Sequence, residues 1–317
     1  MPSSNPDIVI TEFMDRAAVD RLSAAHDTLY DPGLVDRPKA IPALLRLARA
    51  LVVRNRTRVT DDLLAAGSGL RIVGRLGVGL DNIDVAACQA RSVAVAPAAG
   101  ANDVSVAEYV IAMALHLLRG AYGSNDAMIT GAWPRTALIG REVAGKTMGL
   151  VGYGAIARQV ASRARALGMA IAAFDPYLDP GDPALRGVRC CRDLTELLAV
   201  ADVVSLHVPL TGGTRKLING EAMASMRPGA VLINAARGGV VDEAALADAL
   251  RRGQVAGAAL DVFETEPLSA EAAAVFEGCP NLVLTPHIAG LTDESNDRVG
   301  TVIADAVLAA LAEESTV

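Results

Sequence analysis

Short apolar runs alternate with helical patterns along almost the whole chain, and this alternation most limits the folds that it can adopt. The runs "DIVITEF", "ALVVRN", "LRIVGRLG" and "SVAVAP" are separated by amphipathic stretches. Short runs rich in β-branched residues predict strands, and the helices between them make each connection a βαβ unit. Because such crossovers leave neighbouring strands parallel, the sequence predicts α/β domains with helix-covered parallel sheets.

A looser stretch, "GAYGSNDAMITGAWPRTALIGREVAGK", divides the alternation into two series. A long helix over 103–119 is predicted before it, and a second strand–helix series runs from "TMGLVGYG" to "LVLTPH". A chain of 317 residues has room for about two domains of ordinary size. A last helix, predicted over 293–312, lies beyond the second series and could return to pack on the first domain.

Composition excludes several classes of protein. The formal charge of −7 and the pI near 5.2 argue against nucleic acid as a partner. The start "MPSSNPDIVITEF" has no basic residues followed by an apolar run, and "VSVAEYVIAMALHLL" is too short to span a bilayer. We therefore expect a soluble, cytoplasmic protein. The four cysteines lack metal-ligand spacing, so no metal site is predicted.

The stretch "GLVGYGAIA" carries a glycine pattern between a predicted strand and a predicted helix. Gly152 permits a tight turn, Gly154 lets the backbone approach a pyrophosphate, and Ala157 lets helix and strand pack closely. The next strand, "AIAAFDP", ends in Asp175, where an acid hydrogen-bonds the ribose hydroxyls of NAD and repels the 2′-phosphate of NADP. The pattern predicts NAD as the cofactor.

Three polar stretches follow the carboxyl ends of later strands, where ligands bind in open α/β sheets. In "NAARGGVVDE", Arg237 could hold a carboxylate in a bidentate grip, although a surface arginine is the default interpretation in this arginine-rich chain. The acids of "ALDVFETEP" include Glu266, and "LTPHIAG" contains His287. A carboxylate beside a histidine favours its charged form, which suits an acid/base catalyst, but spacing alone cannot bring these two residues together.

Taken in order, "GRLGVGLDNID", "GLVGYGAIA", "DVVSLHVPLTGGTRKLI", "MRPGAVLINAARGGVVDE", "ALDVFETEP" and "PHIAG" resemble the D-isomer-specific 2-hydroxyacid dehydrogenases over nearly the whole chain. The resemblance implies catalysis by Arg237, Glu266 and His287. It also implies two doubly wound parallel-sheet domains, a Rossmann NAD domain (99–288) inserted into a flavodoxin-like substrate domain (1–98 plus 289–317). A homodimer is implied through the loop around "GAWPRTALIG".

The resemblance further implies which residues bind the ligands. Asp261 falls where the family contacts the nicotinamide carboxamide. The implied cofactor-binding residues are Val78, Gly152, Gly154, Ala155, Ile156, Asp175, His207, Val208, Pro209, Thr214, Ala235, Ala236, Asp261 and Gly290. The implied substrate-binding residues are Arg54, Asn55, Arg75, Val78, Gly79, Arg135, Arg237 and His287.

The arginines bear on the choice of substrate. Arg54 and Arg75 match positions that hold the distal phosphate in phosphoglycerate dehydrogenases, and Arg135 resembles a residue supplied across their dimer interface. The tract "VVRNRTRVT" is also similar to that of sulfolactate dehydrogenases, in which a sulfonate replaces the phosphate. We predict an NAD-dependent oxidoreductase for a D-2-hydroxy acid with a second anionic group. The alternatives are a glyoxylate/hydroxypyruvate reductase or general D-2-hydroxyacid dehydrogenase, and, from another class, a non-catalytic NAD-binding regulator.

Overall fold

The computed structural model describes residues 6–178 and 181–312, and the chain divides into two compact units. The first contains the residues up to Asn102 together with those from Leu291 onward, and the second runs from Asp103 to Gly290. The sequence predicts these two domain boundaries after residues 98 and 288. The second unit is thus an insertion into the first, and each has its own sheet.

The first unit contains a parallel sheet of five strands in the order β2-β1-β3-β4-β5. The strands are β1 (Ile8–Ile10), β2 (Thr28–Tyr30), β3 (Ala50–Val53), β4 (Ile72–Arg75) and β5 (Ala94–Pro97). The edge strand β2 was not predicted, because it has only three half-buried residues and no recognisable alternation. The order of the other strands places the ends of β1 and β3 side by side.

The α-helices described in this unit are α1 (Arg16–Ala25), α2 (Ile41–Leu44), α3 (Asp61–Ala66), α4 (Val85–Ala90) and, from the C-terminal part of the described residues, α12 (Asp293–Ala312). The side chain of Asp15 caps α1 by accepting the N–H groups of its first turn. Helix α12 lies so close to β4 that a Cβ on Gly74 would come within 2.7 Å of Ile303. The last helix therefore completes the core of the first unit.

The second unit contains a parallel sheet of seven strands in the order β12-β11-β10-β9-β6-β7-β8. The strands are β6 (Thr147–Val151), β7 (Ala170–Phe174), β8 (Arg189–Cys190), β9 (Val203–Leu206), β10 (Val231–Asn234), β11 (Gly257–Leu260) and β12 (Leu282–Leu284). The helices are α5 (Asp103–Arg119), α6 (Asn125–Ile129), α7 (Ala155–Ala166), α8 (Leu194–Val200), α9 (Gly220–Ala224), α10 (Glu243–Arg251) and α11 (Ala270–Ala273). Strands β9 and β10 are buried along their whole length, as expected for strands covered on both faces.

Both sheets are doubly wound. The strand order reverses between β1 and β3 in the first unit, and between β6 and β9 in the second. The first order is flavodoxin-like and the second is that of a Rossmann fold, so the predicted fold class is confirmed. In such sheets ligands bind beyond the carboxyl ends of the strands that flank the reversal. Among the described residues, no helix combines the length and the apolar character needed to cross a bilayer.

Candidate active site

His287 lies in the loop that follows β12, and its backbone has the left-handed conformation, with φ of 56°. Residues other than glycine seldom adopt this conformation, so neighbouring contacts must hold it in place. The His287 N–H donates to the carbonyl oxygens of Asp261 at 2.8 Å and of Thr285 at 3.0 Å. The histidine is therefore fixed just beyond the carboxyl edge of the second unit's sheet.

Glu266 is the direct partner of this histidine. Its Oε2 lies 2.8 Å from the His287 Nδ1, and its Oε1 accepts the Phe263 N–H at 3.0 Å. Burial alone would raise the pKa of Glu266, but the hydrogen bond and charge of His287 oppose it and, with the Phe263 N–H, bring that pKa below its usual value. Because an ionised carboxylate only accepts, Nδ1 must carry the hydrogen, and the neutral ring keeps its lone pair on Nε2.

Arg237 lies in a turn directly after β10. The buried Asn234 fixes this turn, since its Nδ2 donates to the Arg237 carbonyl at 3.0 Å and its Oδ1 accepts the Ala236 N–H at 3.1 Å. The guanidinium donates to the Ala236 carbonyl, and its charge is one of the influences that lower the pKa of Glu266. The structure thus brings together Arg237, Glu266 and His287, which spacing alone could not establish.

Asp261, which directly follows β11, is buried and is hydrogen-bonded to the loop that carries His287. Its Oδ1 accepts the Thr285 hydroxyl at 2.6 Å and the Ile288 N–H at 2.8 Å, while Oδ2 accepts the Ala289 N–H at 2.8 Å. Oδ2 therefore keeps one lone pair, which is what the carboxamide of a nicotinamide would need. The side chain is suited to the predicted cofactor contact and also fixes the loop of His287.

The glycine turn after β6 has the form that a dinucleotide requires. Gly152 has φ of 86°, and a Cβ there would lie 2.7 Å from the His207 carbonyl oxygen. Gly154 caps α7, and a Cβ there would meet no atom within 4 Å. The absence of a side chain at Gly154 leaves open space at the start of a long helix, where N–H groups and the helix dipole favour a pyrophosphate.

Asp175 follows β7 beside this turn. Its Oδ2 accepts the Tyr153 N–H at 2.9 Å and its Oδ1 accepts the Tyr177 N–H at 3.0 Å. These two bonds orient the carboxylate and leave a lone pair on each oxygen for the hydroxyls of a ribose. The residues present therefore fit NAD.

The remaining predicted cofactor residues of this unit lie along the same edge. The His207 Nε2 is 3.0 Å from the Ser205 hydroxyl, and burial lowers the pKa of His207 to about 4, so its ring is neutral at neutral pH. Thr214 closes the turn after β9 by donating to the Pro209 carbonyl at 2.6 Å. Ala155 and Ile156 begin α7, while Val208, Ala235, Ala236 and Gly290 lie in the loops after β9, β10 and β12.

In the first unit, Arg54 follows β3 at the point where the strand order reverses. Its Nη2 donates to Asn296 Oδ1 at 2.8 Å, its Nη1 donates to the Phe13 carbonyl at 3.2 Å, and its guanidinium lies over the Phe13 ring. Burial lowers the pKa of Arg54 and the charge of Glu12 opposes this shift, although a guanidinium keeps its charge in proteins. These contacts hold a cation at the ligand-binding end of the sheet.

Glu12 was not singled out from the sequence, yet it shapes the loop that carries Arg54. Its carboxylate is buried and accepts the N–H groups of Arg54 at 2.8 Å, Thr57 at 2.9 Å and Arg56 at 3.1 Å. A lone acid after a strand gives no pattern from which this role could be predicted. Tyr109 and Thr285 were also missed, because a helical tyrosine and a loop threonine are commonplace in any sequence.

The other predicted substrate residues are dispersed. Arg75 ends β4, next to β3, and its Nη1 donates to the Leu76 carbonyl at 3.0 Å. Asn55 is exposed beside Arg54, and Val78 and Gly79 lie in the loop after β4. Arg135 belongs to the second unit, where it is exposed on the segment after α6. Among the described residues, no group of three or more His, Cys, Asp and Glu could hold a metal ion.

The chain is similar in sequence to a family of known proteins. Residues 111–289 fit the model of the D-isomer-specific 2-hydroxyacid dehydrogenase NAD-binding domain. The (S)-sulfolactate dehydrogenase of Chromohalobacter salexigens is 53% identical over 305 residues, covering 96% of this chain and 98% of that protein. The D-3-phosphoglycerate dehydrogenase of Mycobacterium bovis is 44% identical over 279 residues, which cover 88% of this chain but only 52% of the relative.

A solved structure with a similar fold is the D-lactate dehydrogenase of Aquifex aeolicus in complex with NAD and lactic acid. It superposes with a TM-score of 0.82 at 28% identity, covering 97% of this chain and 96% of that one. The chain belongs to the D-isomer-specific 2-hydroxyacid dehydrogenase family. It is an NAD-dependent oxidoreductase of 2-hydroxy acids, so the predicted class of enzyme and its cofactor are confirmed.

Proposed function

We propose that this enzyme oxidises a 2-hydroxy acid with a second anionic group, with (S)-sulfolactate as the preferred substrate and the corresponding 2-keto acid as the product. The observation that carries the proposal is the 53% identity, over nearly the full length of both chains, to an (S)-sulfolactate dehydrogenase. Arg54, held at the strand reversal of the first unit, supplies the cation that a second anionic group needs.

His287 is the proposed acid/base. Its Nδ1 is engaged with Glu266, so Nε2 is the ring nitrogen that takes the proton of the substrate hydroxyl. The carboxylate of Glu266 stabilises the imidazolium that forms, and it is already ionised because its pKa is low. The side chain of His287 is 36% exposed, which leaves the ring reachable by a small molecule.

Arg237 is proposed to hold the substrate carboxylate and the C2 oxygen through its planar set of donors. NAD, when bound, would supply the acceptor for the hydride that leaves C2 of the hydroxy acid. Asp261 and Asp175 are proposed to orient the two ends of that cofactor, through the Oδ2 lone pair of the first and the oxygens of the second. The chain's own residues thus bind the substrate, orient the cofactor and move a proton.

The second anionic group is proposed to bind Arg54, which follows β3, and Arg75, the last residue of the neighbouring strand β4. An acid whose only charge is its carboxylate would gain little from these cations. A sulfonate or phosphate accepts several hydrogen bonds at once, and charge-assisted bonds are the strong ones. The same arrangement therefore favours sulfolactate and phosphoglycerate over lactate and glycerate.

We further propose a homodimer. The segment from Tyr122 to Ile139 exposes large apolar side chains to an unusual extent, with Ile129 at 83%, Ile139 at 78% and Trp133 at 71%. Exposed apolar residues concentrated in one short segment mark an interaction surface. A second copy of the chain would cover them and would surround the exposed Arg135.

Replacing Arg54 with alanine tests the anion site. For (S)-sulfolactate, kcat/KM should fall by about tenfold to several hundredfold, because a charge-assisted contact contributes about 1.5–3 kcal/mol. For D-lactate it should stay within about twofold of wild type. Arg56→Ala is the matched control, since Arg56 lies in the same loop but is paired with Asp36. Equal losses on both substrates would instead favour a general 2-keto acid or hydroxypyruvate reductase.

A further inference from the structure

Tyr109 makes a hydrogen bond between a helix and the loop of the candidate catalytic histidine. This tyrosine lies in the first half of α5, and its hydroxyl is 2.6 Å from the Thr285 Oγ1. Thr285 in turn is 2.6 Å from Asp261 Oδ1. The three side chains form a continuous path from the helix to the buried carboxylate that holds the loop of His287.

The direction of the hydrogens follows from the chemistry of the groups. Asp261 accepts two backbone N–H groups besides the threonine, so it acts as a carboxylate and only accepts. Thr285 must therefore donate its single hydroxyl hydrogen to Asp261, and Tyr109 must donate its own to Thr285. Burial is the main cause of a raised pKa for Tyr109, which keeps this hydroxyl protonated and able to donate.

The end of this path is the segment that carries His287. The Asp261 carboxylate accepts the N–H groups of Ile288 and Ala289. The backbone carbonyl of Asp261 accepts the N–H of His287 itself. The Tyr109 hydroxyl, by donating to Thr285, strengthens the hydrogen bond from Thr285 to Asp261, because hydrogen bonds in a chain polarise one another. Without the Tyr109 hydroxyl, the Asp261 carboxylate would be held less firmly, and so would the left-handed backbone conformation of His287.

We propose that Tyr109 is a positioning residue for the reaction: its hydroxyl, acting through Thr285 and Asp261, holds the loop of His287 in the geometry that catalysis needs. The Tyr109 hydroxyl is hydrogen-bonded to Thr285 and acts on the histidine only through that residue. The inference rests on the proposed acid/base role of His287, but it does not depend on which 2-hydroxy acid is the substrate.

The test compares Tyr109→Phe, Thr285→Val, the double variant and the conservative Thr285→Ser, each assayed on the best wild-type substrate. Tyr109→Phe keeps the ring and removes only the donor. We expect kcat to fall about tenfold with KM unchanged, since an interaction used only in the transition state affects both kcat and kcat/KM equally. Because both hydroxyls act in one path, the double variant should be no slower than Thr285→Val, and Thr285→Ser should retain wild-type kcat.

A second readout needs neither cofactor nor substrate. Amide hydrogen exchange in the cofactor-free protein should become faster at Ile288 and Ala289 in Tyr109→Phe, because these N–H groups bond to the carboxylate at the end of the path. The matched control is Tyr30→Phe, which removes another half-buried tyrosine hydroxyl, bonded to the Met14 backbone in the first unit. It should change neither kcat nor exchange in this loop.

The inference is overturned if Tyr109→Phe has the kcat of Tyr30→Phe, if the losses at Tyr109 and Thr285 multiply, or if exchange at Ile288 and Ala289 is unchanged. His287→Gln separates this result from failure of the proposed function. If His287→Gln retains wild-type turnover, the acid/base role itself is wrong. If it abolishes turnover while Tyr109→Phe has no effect, only the positioning role is wrong.

Discussion

Replacing Glu266 with glutamine removes one negative charge beside His287 and preserves the size and the accepting oxygen of the side chain. The affected contact is the 2.8 Å bond to the His287 Nδ1, which becomes a hydrogen bond to a neutral acceptor. A hydrogen bond to a charged partner contributes about 1.5–3 kcal/mol and a neutral one about 0.5–1.5 kcal/mol, so the charge itself accounts for about 1–1.5 kcal/mol. The two side chains are 36% and 31% exposed, and solvent screening keeps the effect at the lower end of this range.

A loss of about 1 kcal/mol is about fivefold in rate. It should appear in kcat rather than KM, because the histidine becomes positively charged only as the proton is transferred. The assay is the initial rate of NADH formation from (S)-sulfolactate. Glu264→Gln is the control, since Glu264 lies two residues away and interacts with Lys216. Unchanged kcat in Glu266→Gln, or a rise in KM alone, would refute the reasoning.

Three further predictions concern the cofactor, the surface and the pH dependence of stability. Asp175→Ala should lower the preference for NAD over NADP by about tenfold or more, measured as the ratio of kcat/KM values, because a hydrogen-bonded carboxylate and its repulsion of the 2′-phosphate are both lost; an unchanged ratio would contradict the assignment. Trp133→Glu should convert a dimer into monomers in sedimentation velocity, because it places a charge on the exposed apolar segment; a dimer of wild-type stability would locate the interface elsewhere. Since the pKa of His207 is lowered to about 4, its contribution to stability is complete above the unfolded pKa of about 6.5 and is lost as the pH falls towards 4. Between pH 7 and 5, the free energy of unfolding of His207→Gln should therefore fall by about 2 kcal/mol less than that of wild type, as measured by denaturant titration. Parallel dependence of this free energy on pH in the two proteins would disprove the prediction.

The sequence was informative about long elements and poor for short ones. The predicted helices over 103–119 and 293–312 are confirmed by α5 and α12, because many turns repeat the same apolar spacing. The strands β2 and β8 and the short helices α2, α6, α9 and α11 were missed, since two to five residues cannot establish a period. Their positions depend on packing that no local pattern encodes.

The candidate site divides in the same way. The family resemblance of the motifs at strand ends predicted Arg237, Glu266 and His287 as catalytic residues, and parallel strands bring their carboxyl ends to one edge. The contact between Glu266 and His287 depends on two loops, and only the structure reveals it. Residues that act through backbone groups, such as Glu12 and Asn234, leave no trace in sequence because their partners are main-chain atoms.

The most direct measurement is the kcat/KM of the purified wild-type enzyme with NAD for (S)-sulfolactate, D-3-phosphoglycerate, D-malate, D-glycerate and D-lactate. We predict that a doubly anionic acid is preferred over lactate and glycerate by about tenfold to several hundredfold, with (S)-sulfolactate first. Equal or better turnover of glycerate or lactate would contradict a role for Arg54 and Arg75 in binding a second anionic group.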